Sequence, residues 1–152
     1  MKFRKNIRLK DYDYSTNGYY FVTICCSHKA KLCLKFEDII KRHLNNIENH
    51  NGVKLDYFKI IPNHLHFILI VAAEQSSANK TGKANALPLH YYIQEFKSKT
   101  TLEIKKNGFV GKRFWQPNYY EHVIRGEETL TKVREYIGNN PMAEILNWNE
   151  LQ

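Results

Sequence analysis

The sequence predicts an α+β fold built on an antiparallel sheet. Three observations carry that expectation. Runs rich in β-branched and aromatic residues take turns with runs of helical spacing. Two neighbouring strand runs are separated only by the turn pair Pro62-Asn63, which makes them a hairpin. The order is strand, helix, strand, strand, helix, strand, helix, a split βαβ plan with one helix added. The expected architecture is a ferredoxin-like or RRM-like sheet with helices packed on one side, plus a C-terminal helix.

Each element has its own signal. Asn17-Gly18 reads as a turn, and Tyr19 to Cys26 as the first strand. Phe36, Ile40, Leu44 and Ile47 recur at helical spacing over Phe36 to Asn49, with Glu37 and Asp38 suited to the first turn. Asn51-Gly52 ends that helix, and Val53 to Ile61 is the second strand. Glu74 to Leu87 is small and polar and reads as a loop. Pro88 to Lys106 reads as a helix with Leu89, Ile93, Phe96 and Leu102 inward. Gly108 to Pro117 is turn-rich, and Tyr119 to Arg125 alternates as the fourth strand. Glu127 to Asn140 reads as the last helix, with Leu130, Val133 and Ile137 inward and Pro141 as its stop. The tail with Trp148 is expected to pack back on the body. The length of 152 residues fits one domain over residues 1–152.

Composition narrows the partner. Hydrophobic residues make up 43%, enough for a packed core. The 23 Lys and Arg against 15 Asp and Glu give a formal charge of +8, which points to a polyanion such as nucleic acid. Part of the excess lies in a basic arm, Lys2 to Lys10. The three cysteines (Cys25, Cys26, Cys33) are odd in number and lack zinc spacing, so they read as reduced thiols in a cytoplasmic protein. The basic N-terminus has no apolar segment after it, so it is not read as a secretory signal. The run from Phe67 to Ala73 is too short to cross a membrane.

The third strand begins after the Pro62-Asn63 turn and is apolar except for His64 and His66. Alternation puts those two imidazoles on one face. Two imidazoles on a stiff strand can grip a divalent ion; the plainer reading is a pair of hydrogen-bonded core or groove histidines. The metal reading needs the pair on one face and not sealed in the core.

Further motifs accompany the histidines. They are Arg8 to Tyr14, Gly18 to Thr23, Phe96-Lys97-Ser98, Trp115-Gln116, Tyr119-Tyr120-Glu121-His122, and Tyr136-Ile137 through Asn140-Pro141. Together with Pro62 to His66, and in this order, they resemble the single-tyrosine HUH transposases of the insertion-sequence-200 type, nearest the REP-associated branch. The resemblance spans nearly the whole chain. It implies a nuclease and strand transferase on single-stranded or hairpin DNA, using Mg²⁺ or Mn²⁺. It implies that Tyr136 attacks phosphorus to leave a 5′-phosphotyrosine and a 3′-hydroxyl. His64, His66 and a polar residue four positions after the tyrosine, Asn140, would hold the ion. Asn139 and His122 stand as alternatives for that third place, because Asn140 precedes a proline and suits a helix C-cap.

The chemistry is consistent with that resemblance. A tyrosine hydroxyl has a pKa of about 10 and needs a nearby cation or base to attack at neutral pH. Tyr19, Tyr20, Tyr57, Tyr119 and Tyr120 fall on strands, where packing is the ordinary role. Tyr136 falls beside the inward stripe of the last helix, where its hydroxyl can emerge. Lys97, Lys99, Lys112, Arg113, Trp115, Gln116 and Arg125 are the candidate DNA contacts. Two other readings stay open: a DNA-binding module on the same fold without catalysis, and a metallohydrolase with no covalent step. Whether the site forms within one chain or across a homodimer is not legible in the sequence.

Overall fold

A computed structural model describes residues 18–27, 32–72 and 87–139. The basic arm, most of the loop after Glu74, Asn140 and the tail beyond it lie outside the described residues. Four strands, β1 (Gly18–Cys25), β2 (Val53–Ile61), β3 (His64–Val71) and β4 (Tyr120–Ile124), form one antiparallel sheet of order β2-β3-β1-β4. This is the ferredoxin-like order, and the expected α+β class holds.

Period-two alternation divides the sheet into two apolar faces. On one face, Tyr20, Val22 and Ile24 of β1 join Leu65, Phe67 and Leu69 of β3. Ile40 and Leu44 of α2 (Glu37–Asn46) and Leu89, Ile93 and Phe96 of α3 (Leu89–Lys106) cover them. On the other face, Phe21, Ile68, Tyr120 and Ile124 meet Leu130, Val133 and Ile137 of α4 (Glu127–Asn139). The central strands are therefore buried from both sides.

Three expectations are corrected. The helix expected from Phe36 begins earlier, as a short α1 (Leu32–Lys35), and ends as a 3-10 turn over Ile47–Asn49. Leu102 is 63% exposed, not inward. The buried stripe runs Leu89, Ile93, Phe96, Thr100, Ile104. Thr100 is tolerated there because its hydroxyl donates to the Phe96 carbonyl at 2.8 Å and accepts from Trp115 Nε1 at 2.9 Å. Finally, Cys26 and Cys33 form a disulfide, so they are not the reduced thiols expected; Cys25 stays outside it. The β2–β3 turn brings the two together: Cys26 N–H donates to the Asn63 carbonyl at 2.9 Å and Cys33 N–H to that of Pro62 at 3.1 Å.

Two local devices set α4 across its sheet face. Gly126, at φ 111°, reverses the chain after β4, a conformation that side chains strain to adopt. A bulge between Leu55 and Tyr57 leaves Asp56 as the extra residue of β2, and its carboxylate meets Arg134 of α4. Among the described residues no helix is long and apolar enough to cross a membrane.

Candidate active site

His64 and His66 share the sheet face that α4 covers. His66 pairs with Thr23 of β1 and Lys59 of β2, and His64 with Cys25 and Ile61. Each Nδ1 is held by a neighbour. Asn63 Oδ1 accepts from His64 Nδ1 at 2.7 Å, and Thr23 Oγ1 stands 2.7 Å from His66 Nδ1. The two Nε2 atoms are hydrogen-bonded to each other at 3.0 Å, as the plainer reading of the pair has it, and an ion would have to replace that bond. Phe21 stacks on His66 with centroids 5.4 Å apart and fixes its ring plane. Outer hydrogen bonds of this kind set the tautomer and aim of metal-binding imidazoles.

This donor pair fits one divalent ion. Nitrogens 3.0 Å apart are close enough that one ion could be held by both. Two imidazoles suit a first-row transition ion such as Mn²⁺ better than Mg²⁺, whose ligands are mostly oxygens. Among the described residues, no three His, Cys, Asp or Glu are grouped to hold an ion. His122 shares the face, but it lies on β4, two strands from β3, with Phe21 of β1 as its register partner. Burial, then Arg125, push its pKa down. Asn139 ends α4 and is exposed, and Asn140 lies outside the described residues. Both histidines are buried, at 0% and 3% exposure, so one of the two conditions set for a metal site, a shared face, is met and the other, that the pair not be sealed in the core, is not; an ion would reach them only through a local opening.

Tyr136 is half-buried against the cluster under α4. Its direction follows from the helix geometry. The helix crosses the sheet from β4, where it starts, to β2, where Arg134 meets Asp56. A Cβ added at Gly138 would meet Tyr57 Oη at 3.5 Å, which places the helix end over β2. Asp56 sits at the bulge, two residues on from Lys54, which pairs with Ile70, so the Arg134 flank faces the row of Tyr19 and Ile70. Tyr136 stands about 200° around the helix from Arg134. It therefore emerges on the opposite flank, toward the row of Lys59, His66, Thr23 and Tyr120.

The expected DNA contacts fall into two groups. Lys112 and Arg113 are exposed and line an open groove of about 600 Å³ with Gln116, Pro117 and Leu102. That segment is tied to the end of β1, with Gln116 N–H donating to the Cys25 carbonyl at 2.8 Å. Arg125 is exposed. Lys99 is exposed and pairs with Glu95 at 2.5 Å. Trp115, expected at the DNA surface, is instead a core residue at 3% exposure with its indole N–H taken by Thr100. Lys97 donates to the carbonyls of Gln116 at 2.7 Å and Asn118 at 3.3 Å, so it braces the groove wall. Burial, then Arg113, lower its pKa to about 8.

Sequence reasoning did not single out Thr23 and Asn63, which meet the imidazoles, or Lys59, the cross-strand neighbour of His66. Asn63 was visible as the neighbour of His64. Thr23 and Lys59 come from pairing register, which the sequence states only indirectly.

The chain thus combines a split βαβ sheet, two adjacent histidines on one of its faces, and a helix carrying Tyr136 across that face. Comparison with known proteins gives the family and the fold. The chain belongs to the IS200-like transposase family, whose model matches residues 14–140, and it is a transposase. It is 36% identical over 163 residues to an uncharacterized protein of Haemophilus influenzae (strain ATCC 51907 / DSM 11121 / KW20 / Rd), covering 91% of this chain and 88% of that one. Among solved structures, it is similar in fold to a REP-associated tyrosine transposase bound to a REP hairpin. That match has a TM-score of 0.64 and 16% identity, covering 91% of this chain and 76% of the other. It is also similar to a putative transposase from Deinococcus radiodurans, with a TM-score of 0.53 and 18% identity over 87% of this chain and 95% of that one.

Proposed function

We propose that this transposase cleaves and rejoins single-stranded DNA at hairpin-associated sites through a 5′-phosphotyrosine intermediate. The observation that carries the reading is the convergence of His64 and His66 Nε2 to 3.0 Å on the face crossed by α4. The fold relative bound to a REP hairpin supports hairpin DNA as the substrate class. Tyr136 is the nucleophile. His64 and His66, with Asn140 as third ligand, would hold Mn²⁺ or Mg²⁺. Such an ion supplies positive charge at the scissile phosphate. Asn63 and Thr23 keep both imidazoles aimed. Lys112, Arg113, Gln116 and Arg125 contact the DNA backbone, with Lys97 as their brace. The helix packs on its own sheet, which favours an active site within one chain over one shared across a homodimer. The protein acts on DNA in the cytoplasm.

Burial of the histidines favours one other reading, a DNA-binding module on the same fold. A cleavage assay separates the two. With Mn²⁺, a labelled hairpin oligonucleotide should yield a fragment with a 3′-hydroxyl, and His64→Ala should yield none. Tight hairpin binding without cleavage under either ion would favour the module.

A further inference from the structure

The register of β2 against β3 places a lysine at the histidine pair. Lys59 is the cross-strand partner of His66. Directly paired antiparallel residues share a face, with Cβ atoms about 4.5–5.5 Å apart. Lys59 therefore projects on the face that α4 crosses, beside His66 and on the flank where Tyr136 emerges. It lies on the edge strand and is exposed. Three other lysines of the fold are engaged, Lys97 by carbonyls, Lys99 by Glu95 and Lys132 by Glu128. No ion pair to Lys59 is found among the described residues. Lys54 is a natural contrast. It is on the same strand and face, and exposed, but pairs with Ile70 on the far flank of α4.

We infer that Lys59 contacts a non-bridging oxygen of the scissile phosphate and stabilises the charge that builds there during strand transfer. This rests on the nuclease reading above. In the step, the Tyr136 oxygen bonds to phosphorus and its proton passes to water. The phosphorus–O3′ bond breaks, its electron pair leaves on O3′, and that oxygen takes up a proton. Lys59 stays an ammonium throughout, so it acts by charge and position. An edge lysine beside the pair also explains how an open-sided strand can serve a buried centre: the phosphate approaches over β2.

The test uses the full chain and a hairpin oligonucleotide with Mn²⁺. Lys59→Ala should slow adduct formation at saturating DNA by about tenfold or more, as expected for losing one charge on the phosphate. Lys59→Arg should recover most of the rate, and Lys54→Ala should match wild type. In metal-free protein carrying Tyr136→Phe, Lys59→Ala should reduce the slope of log K against log salt by about 0.7, one single-strand phosphate contact. If Lys59→Ala keeps the wild-type rate, or Lys54→Ala falls equally, the lysine inference is overturned while the nuclease reading stands. If wild type forms no adduct, the nuclease reading fails and takes this inference with it.

Discussion

Arg134 of α4 grips Asp56 of β2 along one edge of its guanidinium, with Nε donating to Oδ2 at 2.8 Å and Nη2 to Oδ1. The acceptor is the extra residue of a bulge, so an irregularity in an edge strand fixes the helix that carries Tyr136. Arg134→Ala should cost less than about 1 kcal/mol, because the pair is partly exposed to solvent. Its effect on chemistry should be larger, since a misplacement of about 1 Å can cost a hundredfold in rate. The check is adduct rate alongside thermal unfolding; a fall in rate that merely tracks lost stability would contradict the positioning role.

The metal centre depends on its hydrogen-bonded surround. Thr23→Val and Asn63→Ala should each weaken Mn²⁺ binding by about 10–100-fold without unfolding the chain. His64→Ala or His66→Ala should remove most of it. Because both imidazoles are buried, uptake of the ion should be slow and should speed up in mild denaturant. Titration calorimetry and a stopped-flow mixing experiment read these outcomes; unchanged affinity in Thr23→Val and Asn63→Ala would argue that Nδ1 contacts do not aim the rings.

Lys97 gives a pH prediction whose sign follows from its burial. Its folded pKa of about 8 lies below the ordinary lysine value of 10.5. Between those values the unfolded chain holds more protons, so stability contributed through this group rises as pH increases. Wild type should gain stability relative to Lys97→Met between pH 8 and pH 10 in urea titrations. Equal pH dependence in the two proteins would show that the Lys97 ammonium is not held at a cost.

Lys112 and Arg113 are the exposed cations of the groove wall. Replacing both with alanine should lower the salt slope of hairpin binding by about 1.4, at about 0.7 per phosphate contact on a single strand. Trp115→Phe should leave binding intact and lower stability instead, because the indole donates to Thr100 inside the core. Loss of DNA affinity in Trp115→Phe without loss of stability would return that ring to the DNA surface.

Much of this molecule was legible in its sequence, and the failures have physical causes. The Pro62-Asn63 hairpin, the four strands and the Leu130, Val133, Ile137 stripe follow from alternation and turn chemistry. The shared face of His64 and His66 follows from period two alone. Leu102 misled because hydrophobicity was weighed above spacing, while Thr100 could enter the core by bonding its own helix. The exposed-looking Trp115 is buried because a hydroxyl from α3 satisfies its one polar atom. The Cys26–Cys33 contact, the Asp56 bulge and the Lys59–His66 pairing depend on register and on where chain ends meet, which local patterns do not encode.

The central claim is that Tyr136 bonds to phosphorus at the His64/His66 centre. The most direct measurement is peptide mapping by mass spectrometry after wild-type protein has reacted with a hairpin oligonucleotide and Mn²⁺ and the DNA has been trimmed by nuclease. The account predicts one modified peptide, with the nucleotide mass on Tyr136 and none on Tyr119 or Tyr120. It also predicts no modified peptide from Tyr136→Phe, whose stability should change by less than about 1.5 kcal/mol. A nucleotide on any other tyrosine, or a wild-type protein that binds the hairpin yet carries none, would contradict it.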